Sequence, residues 1–174
     1  MFNKNLENID NLALKRRLLN ISSIESRVGI SYCITPTNDY VLLKNDLPTD
    51  DLKNPRETIR VMLDKIIKDD LKSTDTIITF GIGLGYLLDE TFNKYPARIF
   101  VYEPDIKLLH FVLNNVDISE HLASGRVFIT NELDEITMKS LDINEDNNID
   151  KYDVELAIKY ILKEIMKQFD MYNY

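Results

Sequence analysis

The sequence predicts an α/β fold: about three parallel strands in one sheet, preceded by a small α+β segment and followed by a helical C terminus. Three observations lead there. Short apolar runs recur at Asp75–Phe80, Arg98–Glu103 and Arg126–Thr130. Helical patterns separate them, Pro104–Val116 being the clearest. Three of the five glycines fall within Gly81–Gly85, where the first run ends and a helix begins. Strands of this length alternating with helices predict parallel pairing, because each return must cross over the sheet.

The elements follow in order. Leu6, Ile9, Leu12, Leu14, Leu18 and Leu19 lie near helical spacing, so one helix is expected from about Asn3 to Asn20. Within it Lys15-Arg16-Arg17 offers either an anion site or, the favoured reading, a solvated face near the C-terminal end, where cations suit the macrodipole. Val28–Ile34 and Tyr40–Leu43 are strand-like runs joined by the turn formers Thr35–Asp39, which predicts a hairpin. Leu47–Asn54 is polar, carries Pro48 and Asp50-Asp51, and reads as a linker. Residues 1–50 are therefore expected to form a small helix-plus-hairpin segment, and residues 51–174 the main domain. Pro55 opens the next helix behind Asn54 as cap, with Ile59, Met62, Leu63, Ile66 and Ile67 as its apolar stripe.

The loop Phe80-Gly-Ile-Gly-Leu-Gly85 carries the functional signal. Gly81 can turn the chain tightly, and Gly83 lets backbone N–H groups approach a ligand with no Cβ between. The helix N-terminus beyond Gly85 favours negative charge. Glu103 ends the next strand, where nucleotide-binding α/β proteins place an acid for ribose hydroxyls, and Asp105 offers a second carboxylate at a helix start. Strand, glycine loop, helix, strand and terminal acid together predict a Rossmann-like nucleotide site. The sixth loop position is Tyr86, where the dinucleotide fingerprint has Gly or Ala. That favours the G-x-G-x-G form of S-adenosylmethionine and nucleotide-sugar enzymes over NAD or FAD. Two alternatives stay open: a small S-adenosylmethionine-binding, methyltransferase-like protein, and a non-catalytic interaction module whose glycines serve only the turn.

Phe80–Tyr86 (F-G-x-G-L-G-Y), Val101–Asp105 (V-Y-E-P-D) and Phe111–Ser119, with the Leu52–Ile59 helix start, resemble the motility accessory factor family. These bacterial enzymes glycosylate flagellin with nonulosonic acids and share a central domain with 6-hydroxymethylpterin diphosphokinase-like proteins. The resemblance spans roughly Tyr40–Leu133. It implies a CMP-activated sugar donor, a flagellin Ser/Thr acceptor, and a donor-nucleotide site at Gly81, Gly83, Gly85 and Glu103. Family members are several times longer, so the chain is expected to represent their front portion and not to catalyse alone. No residue is assigned a catalytic role.

Asp142–Asp153 is an acidic loop between helical patterns. Asp142, Asn144, Asp146, Asn148, Asp150 and Asp153 fall at positions 1, 3, 5, 7, 9 and 12, the EF-hand spacing for a hard cation such as Ca²⁺. Asn147 stands where EF-hands use Gly, and Asp153 where they use a bidentate Glu. The loop also resembles a dockerin repeat, though dockerins carry two copies. The competing reading is a solvated helix–helix loop with Asp150 or Asp153 as an N-cap.

The 174 residues carry 29 acidic against 21 basic side chains, net −8. Nine of the acids lie between Glu132 and Glu155. This balance argues against nucleic acid and anionic membranes as partners. The lone Cys33, a start without a signal-peptide core and the lack of an 18-residue apolar run lead to the expectation of a cytoplasmic protein. His110, His121 and Cys33 read as structural, Cys33 as a buried small hydrophobe. The Ile158–Phe169 stripe reads as core packing; were the rest of the fold absent, that stripe and one sheet edge would need a partner chain, which leaves a homo-oligomer open.

Overall fold

The computed structural model describes residues 1–66, 72–73 and 75–132. The chain divides into one unit spanning Met1–Asn131 and a second spanning Glu132–Tyr174. The acidic loop at 142–153 and the 158–169 stripe lie outside the described residues.

The N-terminal helix is two helices, not one: α1 (Phe2–Glu7) and α2 (Leu12–Leu19). The break is written in asparagines. Asn8 ends α1, and the Asn11 side chain accepts from the Leu14 N–H at 2.8 Å, capping α2. Leu6, Ile9, Leu14 and Leu18 still share one buried face, while Leu12 and Leu19 are exposed. Ser22 and Glu25 then cap each other reciprocally around a short 3₁₀ turn at Glu25–Arg27.

The hairpin forms as expected, with β1 (Ile30–Ile34) antiparallel to β2 (Tyr40–Lys44) and Ile30 opposite Lys44. A third short strand, β3 (Leu47–Pro48), falls inside the segment read as a linker. Asn45 and Asp46, at φ +50° and +64°, form the tight turn that sends the chain back. Cys33 sits in β1 half-buried, more exposed than its reading as a core residue implied.

α3 (Pro55–Ile66) begins where Asn54 Oδ1 accepts from the Glu57 N–H. The parallel sheet follows in the order β4 (Thr76–Phe80), β5 (Arg98–Tyr102), β6 (Val127–Thr130). Helix α4 (Tyr86–Lys94) makes the first crossover, and α5 (Ile106–Asn115) with α6 (Ser119–Ala123) the second. The middle strand is apolar on both faces because both are covered: Ile99, Phe100 and Val101 are buried. Ile99 and Val101 join the α5 leucines and Leu6, Leu14, Leu18 and Leu42 in one core, so the N-terminal helices pack on the same hydrophobic centre as the parallel sheet.

Asn5 ties this arrangement together. It is fully buried; its Nδ2 donates to the Leu113 and Val116 carbonyls at the end of α5, and its Oδ1 accepts from the Ile118 N–H. One side chain thus satisfies three backbone groups that the end of α5 and the turn into α6 leave open. Arg126 acts similarly at the end of α4, donating to the Phe92 and Tyr95 carbonyls.

Candidate functional site

The glycine loop leaves β4 through the bond from the Gly81 N–H to the Tyr102 carbonyl, 2.8 Å, which extends the parallel ladder by one residue. Gly81, Gly83 and Gly85 then take φ of +79°, +48° and +84°. All three lie in the left-handed region where a Cβ is strained. Gly83 has a second requirement: a Cβ there would come within 3.3 Å of Asp50 Oδ2. Gly85 starts α4, and the Gly85 carbonyl accepts from the Asp89 N–H to open that helix.

Glu103 ends β5 directly beside this loop, only 3% exposed. Its carboxylate bridges two backbones, accepting from the Ile82 N–H at 3.1 Å and the Asp105 N–H at 2.9 Å. Burial pushes its pKa up, while the two amides and, more weakly, Lys44 pull the other way. Asp105, expected at the ligand, caps α5 by accepting from the Lys107 and Leu108 N–H groups. Lys44 Nζ reaches it at 2.7 Å from the hairpin. That lysine and the caps hold the Asp105 carboxyl below its usual range against the effect of burial. The structure therefore brings Gly81, Gly83, Gly85 and Glu103 together, and sets Asp105 beside them as a helix cap.

Asp50 and Lys44 are the residues at this site that sequence reasoning passed over. Asp50 belongs to the segment read as a linker, yet its carboxyl rests against Gly83 with the Thr49 hydroxyl donating to it. Burial raises its pKa and the Thr49 bond lowers it. An Asp-Asp pair in an otherwise polar stretch was the only available signal.

Beyond Gly85 opens a cleft of about 530 Å³. The hairpin supplies Tyr32 and Tyr40 to one wall, and α4 supplies Tyr86 and Asp89. Tyr86, the residue that departs from the dinucleotide fingerprint, has a structural task here. Its hydroxyl donates to the Tyr40 carbonyl and accepts from the Tyr40 N–H, fastening the hairpin to the loop. His121 lies 3.3 Å from Asp89 Oδ1 in this cleft, whereas His110 is buried against Phe2. Among the described residues no group of three or more His, Cys, Asp or Glu is arranged to hold a metal ion. Among them also, no helix is long and apolar enough to cross a membrane.

No family model matches the sequence, and no curated protein matches it. Among solved structures the chain is similar to the MAf glycosyltransferase from Magnetospirillum magneticum AMB-1. The TM-score is 0.52 over 79% of this chain, at 16% identity. At that identity the likeness is one of fold. The chain spans 28% of that protein's length.

Proposed function

We propose that the Gly81–Gly85 loop binds a nucleotide-type ligand, with a CMP-activated sugar as the donor class. In this reading the domain corresponds to the nucleotide-binding portion of glycosyltransferases of this fold, with flagellin as the acceptor of the whole protein. The observation that carries the reading is the loop: three left-handed glycines between β4 and α4, flanked by the buried carboxyl of Glu103 and the half-buried carboxyl of Asp50. The open N-terminus of α4 suits a phosphate, since its first N–H groups lack helical partners. Glu103 and Asp50, both with raised pKa, suit hydroxyls of ribose or sugar, which a carboxyl can accept from or donate to. The glycosyltransferase neighbour supports the nucleotide-sugar class at the level of fold.

Calorimetric titration with CMP and, separately, with S-adenosylmethionine tests this. Saturable heat with CMP alone is expected. Binding of S-adenosylmethionine alone would move the assignment to a methyltransferase-like protein, and silence with both to an interaction module. Gly83→Val introduces a side chain against Asp50 at a left-handed position, so CMP binding should be lost. Unchanged affinity in that variant would remove the loop from the site.

A further inference from the structure

We propose that the cleft beyond Gly85 is a second binding site, and that it takes an uncharged saccharide ring. The proposal does not require a nucleotide on the glycine loop. It rests on three features of the walls.

The first is aromatic. Tyr32 and Tyr40 are 62% and 48% exposed, and their rings meet edge to face at 5.5 Å. They project from neighbouring strands of the hairpin, where the β1–β2 ladder fixes their spacing. Exposed tyrosine faces beside a concave site offer flat apolar surface with a polar tip, which matches the C–H face of a sugar.

The second feature is that the charges in the cleft already have opposite charges beside them. Arg56 lies between Asp39 at 3.4 Å, Asp89 at 3.0 Å and Glu90 at 3.7 Å. Its guanidinium also lies over the Tyr86 ring, 4.6 Å from the centroid, so the cation position on that aromatic face is filled. Asp117 is paired with Lys4 and accepts from Ser119, which holds its carboxyl well below the usual range. Away from the α4 N-terminus, a phosphate in the cleft would meet the carboxylates of Asp89 and Asp117, and an ammonium would meet Arg56. A neutral ligand meets neither penalty.

The third feature is the surplus of hydrogen-bond acceptors. Asp89 also accepts from the Asn93 amide and Asp117 twice from Ser119, and each carboxylate still keeps a lone pair beyond these bonds and its cation. Asn115 donates its amide to the Phe111 carbonyl, which leaves its Oδ1 to accept. Ligand hydroxyls supply the donors this set lacks, while Leu84 and Ile118 provide apolar floor. Stacking faces, paired charges and spare acceptors together describe a site for a polyhydroxylated, uncharged ring.

The test is ¹⁵N–¹H NMR titration of the full chain with methyl β-glucoside, methyl β-galactoside and N-acetylglucosamine, each to 100 mM. Agmatine, inorganic phosphate and N-acetylneuraminic acid serve as charged comparators. Saturable shifts at the amides of Tyr32, Tyr40, Gly85 and His121 with at least one neutral sugar are expected. Tyr32→Ala should weaken that binding about fivefold, the loss of one aromatic stacking partner. The variant loses its edge-to-face contact with Tyr40, and a spectrum with native dispersion confirms that it folds. Absence of saturable shifts with all three neutral sugars overturns the proposal. So does tighter binding of a charged comparator at the Tyr32 and Tyr40 amides, or an affinity that ignores Tyr32→Ala. None of these outcomes bears on CMP binding at the glycine loop.

Discussion

Replacing Glu103 with Gln tests whether the carboxyl beside the glycine loop is held there against its own burial. In the native chain its two oxygens accept from the Ile82 and Asp105 amides at 3.1 and 2.9 Å. A glutamine has one acceptor oxygen and one donor nitrogen, so either amide must then face a donor. A buried N–H left without an acceptor costs about 1–3 kcal/mol. Removing a buried ionisable group offsets part of this, which leaves a net loss of about 1–2 kcal/mol near pH 5. Urea unfolding monitored by far-ultraviolet dichroism would read it. The pH dependence is more discriminating than the size. Burial raises the Glu103 pKa above its ordinary 4.5, so the folded protein holds the proton to higher pH than the unfolded chain. The Glu103 contribution is therefore fully present below about pH 4.5 and is lost as pH rises through the folded pKa. Gln does not titrate. The difference between native and variant must shrink as pH is raised from 4.5 towards neutrality, with the remaining carboxylates largely cancelling between the two proteins. A difference that instead grows with pH would refute the reasoning, because the two amide bonds would then outweigh burial and keep Glu103 charged.

The remaining predictions concern the frame around the site and the acidic loop. Asn5→Ala strands the Leu113 and Val116 carbonyls and the Ile118 N–H, and should cost about 3 kcal/mol in urea unfolding; a loss below about 1 kcal/mol would show that Asn5 is not the clamp described. Tyr86→Phe removes both bonds to the Tyr40 backbone and should cost about 1 kcal/mol, with faster hydrogen exchange at the Tyr40 amide; unchanged exchange there would separate the hairpin from the glycine loop. For the Asp142–Asp153 loop, 10 mM Ca²⁺ should stabilise by about 1.4 kcal/mol over chelator if the dissociation constant is about 1 mM, and an unchanged melting temperature counts against a cation there.

What the sequence made legible is what depends on neighbours along the chain. The strand–glycine loop–helix unit, the hairpin around Thr35–Asp39 and the Asn54–Pro55 helix start are local patterns, and each is present. The single N-terminal helix failed because leucine spacing persists across Asn8–Asn11 while the caps there break the helix; periodicity marked the shared face and not the stop. β3 was missed because two residues hold too little pattern, and its turn residues Asn45 and Asp46 looked like ordinary polar surface. The cleft was invisible for a different reason. Tyr32, Arg56, Asp89 and His121 are remote in sequence, and only the packing of hairpin, helices and loop brings them together.

That same packing changes how the three glycines are understood. Positive φ alone does not distinguish a ligand loop from a tight turn, because either requires the left-handed region. The groups pressed against the loop are more informative. A turn serving only the fold needs acceptors for the Ile82 and Asp105 amides, which Glu103 supplies, but has no need of a second carboxyl, Asp50, at Gly83. Here two carboxyls lie beside the loop, and the charge nearest to them, Lys44, is bonded to Asp105. Asp50 and Lys44 arrive from the hairpin and its exit, the region read as a separate preceding segment. Hairpin exit and parallel sheet therefore each place a carboxyl at the glycine loop, the pair of groups that the proposed nucleotide site would use.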